Sequence, residues 1–68
     1  MIGDNIRRLM NENDYSQKEL ALRSSCGQSA ISCYVNNKQM PGMKKLKSLA
    51  VALGVTVEEL VNGGKNAK

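Results

Sequence analysis

Apolar residues recur three and four positions apart along nearly the whole chain. No run alternates with the period of two that a half-buried strand would need, so the pattern predicts an all-α fold. A first helix is expected over residues 2–13, with Ile6, Leu9 and Met10 on one face and a turn at residues 13–15. Ser16-Gln17-Lys18-Glu19 fits a capping box, in which Ser16 caps a second helix and Glu19 reaches back to it. That helix runs to about residue 24 and buries Leu20 and Ala21. Ser25-Cys26-Gly27 breaks the chain before a third helix, residues 28–36. Residues 36–42 form a loop, because Pro41 bars helix and Gly42 loosens the backbone. A fourth helix spans residues 43–53, with Leu46, Leu49, Ala50 and Leu53 inward, and Gly54 stops it. Thr56-Val57-Glu58-Glu59 is a second capping box that starts a short fifth helix carrying Leu60 and Val61. The expected architecture is a compact five-helix bundle in one domain, residues 1–63, with residues 64–68 a flexible tail.

Composition narrows what such a bundle can do. At 68 residues the chain is one small domain, and a domain this size buries only about 60% of its unfolded surface, too little for a large catalytic cleft. Hydrophobic residues make up 41%, enough for a core. With only Tyr15 and Tyr34 as aromatics, a single-strand binder that stacks bases on aromatic platforms is not expected. The chain has no His, which removes Ser–His and Cys–His nucleophile pairs. Cys26 and Cys33 do not make a closed zinc site and are expected to be reduced thiols. The expectation is therefore a non-enzymatic domain without cofactor or metal. The N-terminal residues lack the apolar core of a signal peptide, and the charge-free stretch at residues 48–57 is far shorter than the roughly 20 residues of a membrane span. A cytoplasmic protein without membrane contact is expected.

Charge then changes the picture through its placement. The net charge of +4 comes entirely from Lys38, Lys44, Lys45 and Lys47, which lie within residues 36–48 with no acid among them. Acids and bases cancel in the segments on either side. Just before this basic stretch, residues 24–37 carry no charged side chain yet are rich in Ser, Asn and Gln. A solvated face beside a turn would account for this; so would a base-reading surface next to one that grips phosphates.

Second and third helices joined by a three-residue turn have the form of a helix-turn-helix module. Gln17, Leu20, Ala21, Ile31 and Tyr34 fall where that motif needs a polar start, two core contacts, a buried branched residue and a buried large one. Ala21 stands where only a small side chain lets the two helices cross closely. The ordered set S-Q-K-E-L-A, A-I-S-x-Y, Pro41 and L-x-x-L-A-x-x-L-G-V-T-V-E-x-L covers nearly the whole chain. It resembles the Xre/Cro family, the lambda-repressor-like DNA-binding domain of phage repressors and bacterial regulators. Two positions depart from the family pattern. Ser25 stands where the turn often has Gly, at a cost of about 1 kcal/mol if φ is positive. Gly27 stands where Ser or Thr would normally cap the third helix.

The resemblance implies a sequence-specific regulator of double-stranded DNA, most simply a phage or prokaryotic repressor, whose third helix enters the major groove. With Ile31 facing the core, Ser29, Ser32, Cys33 and Asn36 form the outward stripe of that helix, and Gln28 extends from its start. Gln28, Ser29, Ser32 and Cys33 are the candidate base readers, Gln28 foremost because a carboxamide can pair with adenine. Gln17, Lys18, Asn36, Lys38 and Lys44 are the candidate phosphate contacts; Lys44 and Lys45 oppose the dipole of the fourth helix, which favours a ligand reason for them. Arg7 and Arg8 are read either as phosphate contacts or as partners of Glu12, and Tyr34 as core. A homodimer on a palindromic operator is expected, with Val57, Leu60 and Val61 the dimerisation candidates that the resemblance implies. Two alternatives remain: an antitoxin-type or phage-switch regulator that also binds a partner protein, and a protein-interaction domain without DNA binding.

Overall fold

The computed structural model describes residues 2–63, which form α1 (Ile2–Asn13), α2 (Gln17–Ser24), α3 (Gln28–Val35), α4 (Met43–Leu53) and α5 (Val57–Asn62). The expected tail at residues 64–68 lies outside the described residues. Among the described residues all regular structure is helical. Each helix sends one fully buried side chain to the centre: Ile6, Leu20, Ile31, Leu49 and Leu60. Around them pack Leu9, Met10, Ala21, Tyr34, Val35, Leu46, Ala50 and Leu53. α1 lies against α3 and α5, α2 against α3 and α4, and α4 against α5. Ala21 is buried in α2, as the close crossing of the helix-turn-helix pair requires. No helix among the described residues is long and apolar enough to cross a membrane.

The helix ends follow local chemistry. Ser16 Oγ accepts the Glu19 N–H at 3.0 Å and starts α2. The expected return bond from Glu19 is replaced: its carboxylate instead accepts from Arg23 Nε at 2.7 Å, one turn on. The second capping box is complete, with Thr56 Oγ1 accepting from Glu59 N–H at 3.0 Å and Glu59 Oε1 from Thr56 N–H at 2.9 Å. α1, α2, α3 and α4 all end on a left-handed residue, respectively Asp14, Ser25, Asn37 and Gly54. In each, the next N–H bonds back to a carbonyl in the last turn: Tyr15 to Met10, Cys26 to Ala21, Lys38 to Cys33 and Val55 to Ala50. Ser25 therefore does adopt positive φ, at 58°. The Ser24 hydroxyl, buried beneath this turn, donates to Leu20 O at 2.7 Å.

Candidate nucleic-acid interface

α3 is amphipathic in a way that separates packing from display. Ile31, Tyr34 and Val35 are buried, whereas Gln28 and Ser29 are exposed at its first turn. Ser32 and Cys33, placed with Ser29 on the outward stripe, are only half-exposed. Tyr34 is core, 5% exposed. Its burial raises the phenol pKa, and the neighbouring Cys26 and Cys33 raise it further. Cys26 and Cys33 are free thiols, the first buried.

The N-termini of α2 and α5 are closed by side-chain caps, but those of α3 and α4 are not. Gly27 and Gly42 are the N-caps there, and neither supplies a side-chain hydrogen bond. The two open helix starts carry Gln28 and Ser29 in one case and Lys44 and Lys45 in the other. An open start presents backbone N–H groups and the positive end of the helix dipole, both suited to phosphate. Lys18, Lys38, Lys44, Lys45 and Lys47 are all exposed. None of the five is in an ion pair; the pairs among the described residues are Arg8–Glu12 at 3.0 Å and Arg23–Glu19 at 2.7 Å. No acidic residue occurs between Glu19 and Glu58, so α3, the loop after it and α4 carry no acidic side chain of their own.

Other candidates are placed differently from one another. Gln17 is half-buried at the start of α2 and lines a cleft of about 230 Å³ with Arg7, Met10, Asn11 and Val35. Asn36 is exposed, but its carboxamide is engaged at both ends: Oδ1 accepts from Arg7 Nη2 at 2.7 Å and Nδ2 donates to Ser32 O at 2.9 Å. One amide hydrogen is left for a ligand. Arg8 takes the Glu12 partnership. Arg7 does not: its Nε donates to Val35 O at 3.0 Å, at the end of α3. Of the dimerisation candidates, Leu60 is wholly buried within the chain, and Val57 and Val61 are half-buried against the core.

Gly3 and Asn37, which were not candidates, join Arg7 in tying α3 to α1. Gly3 N–H donates to Asn37 Oδ1 at 2.9 Å. A Cβ on Gly3 would stand 2.6 Å from Tyr34 O and 2.7 Å from Val35 O, so only glycine fits this approach. With Arg7 and Asn37 it forms a clamp on the carbonyl end of α3. The one signal in the sequence is Asn37, since Asn tolerates the left-handed conformation better than other side chains. Gly3 and Arg7 give none, because their partners lie across the fold.

Comparison with known proteins agrees with this geometry. A family model described as helix-turn-helix matches residues 6–60. An uncharacterized HTH-type transcriptional regulator, y4dJ of Sinorhizobium fredii, is 36% identical over 61 residues, which cover 90% of this chain and 79% of that protein. A chain of the SinR protein/SinI protein complex superposes with a TM-score of 0.87 at 32% identity; the match takes in 91% of this chain but spans only 61% of that one. SinR bound to DNA, described as the master regulator for biofilm formation, gives a TM-score of 0.85 at 32% identity, over 90% of this chain and 98% of that one. The chain belongs to the helix-turn-helix family.

Proposed function

We propose that this chain is a sequence-specific, double-stranded-DNA-binding transcriptional regulator that reads the major groove with α3. The observation that carries the reading is the open start of α3, where Gln28 and Ser29 are exposed, in a chain whose Lys38, Lys44, Lys45 and Lys47 are exposed and outside the ion pairs of the described residues. Gln28 pairs with a base edge and Ser29 adds a second contact; Ser32 and Cys33, half-exposed, contribute at closer range. Lys18, Lys38, Lys44 and Gln17 grip phosphates, with the remaining amide hydrogen of Asn36. The DNA complex of the similar SinR supports the same assignment. Catalysis has no part in it.

One module of this size contacts few base pairs, so the operator is a palindrome read by a homodimer. Val57 and Val61 are the apolar groups that α5 can offer to a second copy; Leu60 stays in the core. A DNA ligand implies action in the cytoplasm, in a prokaryotic cell or a phage-infected host. Selection of bound sequences from a random duplex pool tests the reading. The expected result is a symmetric site with two half-sites about 10 bp apart, or a multiple of it. A pool that emerges without sequence preference would contradict it.

A second reading adds a protein partner. SinR is found in complex with SinI, and here Leu22 and Val51 stand 71% and 82% exposed on α2 and α4. On this reading the charge-neutral pair Leu22→Ser with Val51→Ser leaves operator binding unchanged in vitro and alters regulation in cells; unaltered regulation would remove it.

A further inference from the structure

We infer that Arg7, together with Gly3 and Asn37, is a positioning set that fixes the angle at which α3 meets DNA, and so controls specificity rather than general affinity. The inference rests on the reading that α3 enters the major groove.

The two ends of α3 are held very differently. Its start is capped by Gly27 without a side-chain bond, after a turn that depends on a left-handed serine. Its end is tied at each of its last four carbonyls, Ser32 O also keeping its helical bond from Asn36 N–H at 3.1 Å. Ser32 O accepts from the Asn36 side chain at 2.9 Å, Cys33 O from Lys38 N–H at 2.9 Å, and Tyr34 O from Asn37 N–H at 3.1 Å. The last, Val35 O, is taken by Arg7 Nε at 3.0 Å. Three of the ties that hold this end come from α1: Gly3 N–H to Asn37, Arg7 to Val35 O and Arg7 to Asn36. The Arg7 fork reaches a carbonyl and a carboxamide together, with its positive charge at the negative end of the α3 dipole.

Such an arrangement makes α3 a lever pivoted at its end. Eight residues span about 12 Å at roughly 1.5 Å per residue, so a tilt of about 10° at the clamp displaces the start by about 2 Å. That exceeds the tolerance of a hydrogen bond to a base edge. Phosphate contacts by long lysines absorb a shift of this size, whereas the shorter Gln28 and Ser29 do not. Loosening the clamp thus removes discrimination and leaves the electrostatic grip.

The test uses two variants that keep the net charge. Arg7→Lys cannot hold both acceptors at once, and Asn37→Gly removes the acceptor for Gly3 while suiting the positive φ of 59°. Affinity for the selected operator and for a random duplex is measured with each, over a range of salt, and base preference is re-selected. Expected are a loss of tenfold or more on the operator, random-duplex affinity within twofold of the parent, an unchanged salt slope, and relaxed preference across the half-site. Amide NMR shifts of Gln28 and Ser29 in the free variants are expected to move as well. Equal losses on both duplexes would mark a merely structural role and overturn the inference, as would an unchanged ratio of the two affinities. If the parent chain itself prefers no sequence, the proposed function falls and this inference with it. A parent with clear preference and variants that keep it overturns the positioning role alone.

Discussion

Ser25 holds a left-handed conformation, φ 58°, that costs a side-chain-bearing residue about 1–2 kcal/mol and glycine far less. Ser25→Gly is therefore expected to raise stability by about 1 kcal/mol, read as a higher denaturant midpoint with an unchanged slope. This position was legible because the helix-turn-helix pattern asks for a glycine there. Asp14 and Asn37 take the same conformation; the tolerance of Asp and Asn for it is only a weak signal, since polar residues in turns have many other uses. Tyr34 offers a second check. Its pKa is raised above the ordinary 10.0 by burial, then by Cys26 and Cys33. The folded chain therefore holds that proton more tightly than the unfolded one, so this contribution is fully present below pH 10 and is lost as pH rises through the folded pKa. Stability is expected to fall above about pH 10, and ultraviolet titration should show Tyr34 ionising above that pH. A Tyr34→Phe variant whose alkaline loss matches that of the parent would contradict this.

Helix boundaries were readable where a signal was local. Gly54, Pro41 and the Thr56–Glu59 box act as their chemistry suggests. The Ser16–Glu19 box is only half made, because Arg23 lies one turn along α2 and competes for the same carboxylate. The open start of α3 was visible in Gly27 as a weak cap, and in the structure that weakness coincides with the surface assigned to DNA. Gly27 has an ordinary extended φ of −71°, and a Cβ there meets nothing within 4 Å. Gly27→Asp would thus cap α3 and complement its dipole, for a gain of up to about 1 kcal/mol. The same carboxylate would stand at the helix start assigned to DNA and repel its negative charge. Higher thermal stability with DNA affinity at least tenfold lower is expected. Unimpaired binding would show that the start of α3 does not face DNA.

Over the whole molecule, α1 is the element that other helices are hung from. It holds the end of α3 through Gly3 and Arg7, and the end of α5 through Asn5, whose amide donates to Leu60 O at 2.9 Å and Val61 O at 3.2 Å. None of this was legible, because partners 34 and 55 residues apart in sequence meet only once the core has formed. The core itself was largely legible: Ile6, Leu20, Ile31, Leu49 and Leu60 all sit on the inward positions of periodic helices. Leu60 also shows the limit of resemblance, since its burial withdraws it from any contact with a second copy. The charge pattern was legible as well, and folding keeps it: an uncharged α3 is followed by four exposed lysines without acidic partners among the described residues. That division of labour, base edges for α3 and phosphates for the lysines, is the central claim. Its most direct test is the affinity of Gln28→Ala and Lys44→Ala for the selected operator and for a random duplex across a range of salt. Gln28→Ala should lose about 1–3 kcal/mol on the operator and little on random duplex, with the salt slope unchanged. Lys44→Ala should weaken both alike and lower the slope by about 1. Equal losses on both duplexes for Gln28→Ala, with an unaltered slope for Lys44→Ala, would contradict it.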